Sequence, residues 1–316
     1  MLKGALEEEA ILCTKNKTFS LKLAETSNTL LLLPKDMGAG AIIRSSENYH
    51  FETLEVPPKL QKLRVLLSKH LYSGGNEEEF FKNCFTFEQI LAQVQASETQ
   101  IRNSLREIGA VEHKGFWTLV DPIYLDNCFE LILSEIISND WNINNVSASE
   151  CINSLSIANI PSWVIYHALK LYSKSVSEDN NIFILDEAKM SKFKGTQILR
   201  KAKNLPLDKF IEEWKDKTIY GNSYVQIDIL KGIAIVNREG PINIVSYLPS
   251  ENIINTYTDI SSRLQHLFNI KKLWFLPELI PYINDLINPS VNTEQYLLKY
   301  SRTVNSPEGL QYTSKY

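Results

Sequence analysis

Two capping boxes in quick succession constrain the fold of this chain more than any other feature. In Thr86-x-x-Gln89 a hydroxyl and an amide satisfy the orphan N–H groups of a helix start. Phe87, Ile90, Leu91 and Val94 follow at helical spacing. Ser97-x-x-Gln100 then opens a second helix after a tight turn, with an apolar stripe of Ile101, Leu105 and Ile108. Gly109 is placed for its C-terminal cap. Val111–His113, the turn Lys114-Gly115 and Phe116–Val120 predict a hairpin. Helix, turn, helix and hairpin is the order of a winged helix.

The pattern recurs, as in an internal repeat. In a second copy, residues 123–137 form an amphipathic helix and Ser147-x-x-Glu150 is a further capping box. Pro161 suits the first turn of a helix carrying Trp163, Ile165, Leu169 and Tyr172. Residues 182–185 make the one visible strand of its wing, and a basic helix follows. In a third copy, residues 207–214 are helical and Ser223-x-x-Gln226 caps the next helix. Strands at 233–236 and 242–248 flank the turn Asn237-Arg238-Glu239-Gly240-Pro241, and helices at 260–268 and 277–287 close the copy. Trp117, Trp163, Trp214 and Trp274 fall on apolar stripes or in the wing and read as core. The tail from Pro289 carries one short helix, residues 293–300, and then reads as mobile.

The N-terminal part is different. Residues 10–13 are an apolar run and residues 14–17 are a polar turn. From 18 to 23 the pattern alternates, with Phe19, Leu21 and Leu23 on one side and Ser20 and Lys22 on the other, which predicts a half-buried strand. Glu25-Thr26-Ser27-Asn28 breaks it, and residues 30–33 form a fully apolar strand ended by Pro34. So small a β unit cannot bury its edges and its apolar face alone. It needs a partner sheet, from this chain or another. Val56-Pro57-Pro58 ends the domain. Residues 59–70 form an amphipathic helix with Leu60, Leu63 and Leu67 on its stripe, and residues 73–79 form a loop.

Catalytic signatures are missing. There is no GxxxxGK[ST], HExxH or GxSxG, and Gly38-Ala39-Gly40 is not followed by Lys-Ser or Lys-Thr. His50, His70, His113, His167 and His266 are isolated, so no metal or cofactor is expected. The four cysteines are scattered, which suits reduced thiols in an intracellular protein. No apolar run approaches the ~18 residues of a membrane span, and the first nine residues do not read as a signal peptide. Net charge is −4, so any nucleic-acid contact must come from a local patch. The best patch is residues 189–203, with Lys189, Lys192, Lys194, Arg200, Lys201 and Lys203 and no acid among them. It is either a phosphate contact that reads no sequence or a solvated helix face. In the first winged helix, Thr99, Arg102, Asn103 and Arg106 lie on the outer face of the second helix. That face enters DNA in some winged helices and binds proteins in others.

The block ILCTKNKTFSLKLAETSNTLLLLP at 11–34, with QVQASE at 93–98 and LKYS at 298–301, resembles the sister chromatid cohesion protein Dcc family. The resemblance runs over nearly the whole chain. It implies a nuclear, non-catalytic subunit of the alternative replication-factor-C-like clamp loader, which loads or unloads the sliding clamp PCNA. It implies a composite barrel shared with the small companion subunit and the tail of the large subunit. Leu12, Phe19, Leu21, Leu23, Leu31 and Leu33 are the apolar positions for that contact. Family members carry further β structure ahead of this block, so either partner chains complete the sheet or the start is truncated. The resemblance also implies docking of the first winged helix onto the catalytic part of DNA polymerase epsilon, and DNA contact through the second and third. The expected architecture is α+β: a short β domain over 1–55, winged helices over 56–122, 123–203 and 204–288, and a tail over 289–316. The competing reading is a stand-alone winged-helix DNA-binding regulator, which needs no partner to cover its N-terminal sheet.

Overall fold

Alternating side chains at the start of the chain produce an antiparallel sheet. In the computed structural model, which describes residues 1–4, 6–35, 42–238, 240–288 and 291–315, β1 (Leu2–Lys3), β2 (Ile11–Cys13), β3 (Thr18–Leu32) and β4 (Ser45–Glu55) pair in sequence order. The β2–β3 turn is closed by Lys17 N donating to Thr14 Oγ1 at 3.0 Å. Two expectations are corrected. Glu25-Thr26-Ser27-Asn28 does not end the strand; the pairing with β4 slips between Glu25 and Leu30 and β3 runs on. Asn28 N donates to Thr26 Oγ1 at 3.1 Å, so the polar tetrad becomes a bulge held by a local side-chain bond. β4 has no counterpart in the sequence reading, because Tyr49, Phe51 and Leu54 are its only large apolar residues. Gly38-Ala39-Gly40 lies outside the described residues.

The first helical unit comprises α1 (Gln61–Ser68), β5 (Leu71–Tyr72), α2 (Glu77–Phe81), β6 (Phe85–Thr86), α3 (Phe87–Gln93), α4 (Glu98–Glu107), β7 (Val111–His113) and β8 (Phe116–Val120). Both capping boxes form. Thr86 N donates to Gln89 Oε1 at 2.9 Å and Gln89 N to Thr86 Oγ1 at 3.3 Å; Ser97 and Gln100 repeat this at 3.1 and 3.3 Å. Lys114 and Gly115 take φ of 52° and 84°, the left-handed pair that a tight hairpin turn needs. The acidic run at 77–79 is a helix rather than a loop. Asn76 Oδ1 accepts from Glu78 N and Glu79 N, and the carboxylates sit at the positive end of the helix.

The second unit is α5 (Pro122–Ser138), β9 (Val146–Ser147), α6 (Ala148–Ser154), α7 (Ser162–Tyr172), β10 (Ser173–Val176) and β11 (Ile182–Leu185). Its second wing strand, β10, escapes the sequence reading because SKSV holds a single apolar residue. Next come α8 (Glu187–Ala202), β12 (Asn204–Pro206), α9 (Leu207–Lys217), β13 (Ala234–Asn237) and β14 (Ile244–Tyr247). Ser223 caps no α-helix here. Two 3-10 turns, Asn222–Tyr224 and Ile227–Leu230, occupy that place. The run YVQIDIL is poor in helix formers, and Gly221 enters it in the left-handed region at φ 86°. Last are α10 (Ser250–Thr256), α11 (Ile260–Ile270), β15 (Trp274–Phe275), α12 (Leu276–Ile283), α13 (Thr293–Leu297), β16 (Ser301–Ser306) and β17 (Gly309–Ser314). The tail is therefore a helix and a hairpin rather than a mobile end. Tyr312 of β17 is buried in one core with Leu264, Leu267, Trp274, Tyr282 and Leu297, so the helices expected to close the third copy pack on the tail.

The architecture is α+β: a β-rich N-terminus followed by tandem units of winged-helix order. After the N-terminal sheet, the described residues form four sheets in which the last strand lies at the centre: β8 pairs with β5, β6 and β7, and the others run β9-β11-β10, β12-β14-β13 and β15-β17-β16. Four buried clusters accompany them, and these cross between neighbouring units: Tyr72 and Val120 of the first sheet share a core with Val146 and Phe183 of the second, and Ile235 of β13 joins the core of the last. Trp214 and Trp274 are fully buried and donate to Ser191 O and Lys271 O, each at 2.7 Å. α8 crosses α9 so closely that a Cβ on Gly195 would lie 2.7 Å from the Trp214 ring.

The last unit folds back onto the first. Gln61 Nε2 donates to Ile254 O at 3.0 Å, Arg64 pairs with Glu251 at 3.6 Å, and Asn288 Nδ2 donates to Glu55 O at 2.6 Å. Helix α1 is thus tied to α10, and the end of β4 to Asn288.

Candidate functional site

The N-terminal sheet has two unlike faces. Lys3, Ile11, Cys13 and Thr18 are buried against the turn between α3 and α4. Lys3 Nζ donates to Val94 O and Ala96 O at 3.0 and 2.7 Å, neutralising carbonyls at a helix end. Thr18 Oγ1 donates to Gln100 Oε1 at 2.6 Å and accepts from Ser97 N at 3.2 Å. The capping box that starts α4 therefore also seats the sheet.

The other face is open. Cross-strand partners lie on one face, and the register aligns Leu2 with Leu12, Leu12 with Phe19, and Leu23 with Phe51. Leu12, Phe19 and Leu21 are half-buried; Leu23 is 56% exposed and Phe51 59%. Tyr49 meets Phe51 edge-on at 6.3 Å. Beyond the bulge, Leu30, Leu31, Leu32 and Leu33 are all exposed. The sequence reading places Phe19, Leu21 and Leu23 together, and the structure adds Tyr49 and Phe51 to them across the β3–β4 pairing. Their alternation within NYHFET was the available signal. The outer edge of β4 pairs with no strand among the described residues. Covering a Leu or Phe fully contributes ~1.5–3 kcal/mol, so this face and edge expose apolar area and unpaired backbone groups whose covering would be favourable.

The α4 residues are only partly free. Thr99 Oγ1 donates to Asn16 Oδ1 at 2.9 Å, which spends it on the β2–β3 turn. Arg102 donates to Glu98 at 2.9 Å and lies 3.8 Å over the Phe87 ring. Asn103 and Arg106 are exposed.

The basic stretch is brought onto one helix, but most of its charge is engaged. Lys189 Nζ donates to Leu171 O and Ser173 O at 3.0 and 2.7 Å. Lys194 pairs with Glu130 at 2.5 and 2.7 Å, and Arg200 pairs with Asp126. Lys203 lies 5.0 Å over the Tyr247 ring. Burial lowers the Lys192 ammonium below its ordinary value. Lys201 is exposed and has no ion pair among the described residues. Asp126 and Glu130, one turn apart on α5, are the ion-pair partners of the basic stretch that sequence reasoning missed. The signal was their i,i+4 spacing on a largely apolar helix whose remaining acid is Glu135.

Two buried groups give the fold opposing responses to acid. Burial pushes Asp126 up to about 6, outweighing the opposite pull of Arg200. Its favourable contribution is present below the unfolded value near 3.8 and lost as pH rises through about 6. Burial pushes His167 down to about 4, so its contribution is present above 6.5 and lost as pH falls through about 4. Between pH 6.5 and 4.5 the two slopes oppose each other. Asp126→Asn removes the first. The variant is expected to lose ~1–2 kcal/mol more stability than the wild type over that interval in urea titrations, allowing for residual solvent screening at Asp126. Superimposable pH profiles would refute the assignment.

No group of His, Cys, Asp and Glu among the described residues is placed to hold a metal ion. The family model described as "Sister chromatid cohesion protein Dcc1" matches residues 1–283. The chain is 30% identical over 336 residues to the probable sister chromatid cohesion protein DCC1 of Dictyostelium discoideum, covering 98% of this chain and 87% of that protein. It is 30% identical over 320 residues to the sister chromatid cohesion protein DCC1 of Mus musculus (96% and 79% covered) and 28% over 320 residues to that of Homo sapiens (96% and 80%). With its β-rich N-terminus and all but the end of its last tandem unit inside the matched region, the chain belongs to the Dcc1 family of sister chromatid cohesion proteins.

Proposed function

We propose that this chain is a non-catalytic subunit of the alternative replication-factor-C-like clamp loader, acting in the nucleus in DNA replication and sister chromatid cohesion. Two companion subunits cover the open face of the N-terminal sheet. The helical units then address the assembly to DNA polymerase epsilon, through the exposed Asn103 and Arg106 side of α4, and to DNA through the basic α8. The loader acts on PCNA, and this chain raises its effective concentration at the fork by several weak contacts on one scaffold. The observation that carries the reading is the continuous apolar face from Leu12 to Phe51 with an unpaired β4 edge beside it. A regulator acting alone gains nothing from such a face and is exposed to aggregation by it. Co-expression with the small companion subunit and the large-subunit tail tests this. A stoichiometric trimer is expected on size exclusion. A chain that stays monomeric beside both partners would sink the proposal.

A further inference from the structure

An open groove of about 800 Å³ runs between α5, α8 and α9. Four cations line it: Lys194, Arg200, Lys201 and Lys217. Three carboxylates line it too, and each is matched to one cation. Glu130 holds Lys194 at 2.5 Å, Asp126 holds Arg200, and Glu213 holds Lys217 at 2.6 Å. The acids come from α5 and α9, whereas residues 189–203 of the basic stretch contain none. A nucleic-acid backbone gains affinity by releasing mobile counterions. Here the counterions are tethered, so a phosphate that enters must displace a carboxylate present at high effective concentration.

We propose that this groove is a phosphate site for duplex DNA that is gated by its own acids: Asp126, Glu130 and Glu213 occupy the cations that the DNA backbone would neutralise. The inference rests on the DNA contact read for α8 and adds its regulation. In the resting chain Lys201 is the cation of the groove without an ion pair among the described residues, Lys217 is exposed but paired with Glu213 on its own helix, and binding is weak. Rotating the Asp126 and Glu130 side chains aside frees Arg200 and Lys194 while α5 and α8 stay packed through Phe129 and Phe193.

The test is fluorescence anisotropy with a random-sequence duplex across a salt series, using the full chain. Asp126→Asn with Glu130→Gln is expected to tighten binding about tenfold at moderate salt and to steepen the log–log salt dependence by about two. Lys201→Glu, at an exposed position, adds an acid to the groove and is expected to weaken binding without affecting the fold. Glu78→Gln with Glu79→Gln removes the same charge from the exposed start of α2 and is expected to change little. Equal binding by the wild type and the groove variant would overturn the gate and leave the DNA contact standing. Equal gains from the groove pair and the remote pair would overturn it in favour of net charge alone. No binding by any variant would overturn the DNA contact and the gate with it.

Discussion

Replacing Leu23 and Phe51 together by aspartate is expected to abolish assembly with the companion subunits while leaving the isolated chain folded. The two residues are directly opposed on β3 and β4 and both are more than half exposed. Exposed substitutions shift stability by only ~0.5 kcal/mol each, and two carboxylates directly opposed across the strands add up to ~1 kcal/mol of repulsion, so the melting temperature should fall by a few degrees with the chain still folded. Within the assembly the same positions are desolvated, and each buried carboxylate without a partner costs several kcal/mol. Binding should therefore weaken by at least about a hundredfold. Lys22→Asp changes charge on the opposite face, where Lys22 is aligned with Glu52, and should leave assembly largely intact. Pull-down or calorimetric titration against the two companion subunits reads the result. Full assembly by the Leu23→Asp, Phe51→Asp chain would mean that partners meet this protein elsewhere.

The second large effect is expected at Arg263→Met. Arg263 is fully buried in α11. Its guanidinium donates to Tyr257 O at 2.8 and 2.5 Å, to Tyr282 O at 2.9 Å and to Ile254 O at 3.4 Å, and pairs with Asp285. Those carbonyls sit at the ends of α10 and α12, where no intrahelical donor is available. Methionine fills similar space but donates nothing, so Tyr257 O, Tyr282 O and Asp285 lose these donors, while Ile254 O keeps Gln61 Nε2. Removing one partner of such a buried network costs ~3–5 kcal/mol, enough to unfold the last unit in a marginally stable chain. Because α10 carries the contacts to Gln61 and Arg64, protection of α1 against hydrogen exchange should fall as well. Lysine at this position has a single ammonium and no planar fork, so Arg263→Lys should recover only part of the loss. A chain that keeps wild-type urea resistance with methionine at 263 would show that these carbonyls find other partners.

Much of the local structure was legible in the residues. The capping boxes at Thr86 and Ser97 carry their helix starts in their own side chains, and the Lys114-Gly115 turn needs only its left-handed backbone. Trp214 could be placed in a core from helical spacing alone; Trp274 is buried as expected, but on the strand β15 rather than on a helical stripe. Where the reading failed, the missing information was tertiary. SKSV becomes a strand because β11 offers it a ladder, and the polar tetrad after Leu23 becomes a bulge because β4 lies beside it. The tail forms a hairpin because Trp274, Tyr282 and Leu297 give Tyr312 a core to enter.

The same division holds for the candidate sites. By itself the sequence determined the helix starts, the apolar face of β3 and the absence of known catalytic motifs, since each depends on residues a few positions apart. Only the tertiary structure decided that this face continues through Tyr49 and Phe51, and that Lys194 and Arg200 are already held by Glu130 and Asp126. A run of cations in sequence states how much charge is present. Which of those charges faces water depends on acids more than sixty residues away, brought within hydrogen-bonding distance only when α5 packs on α8.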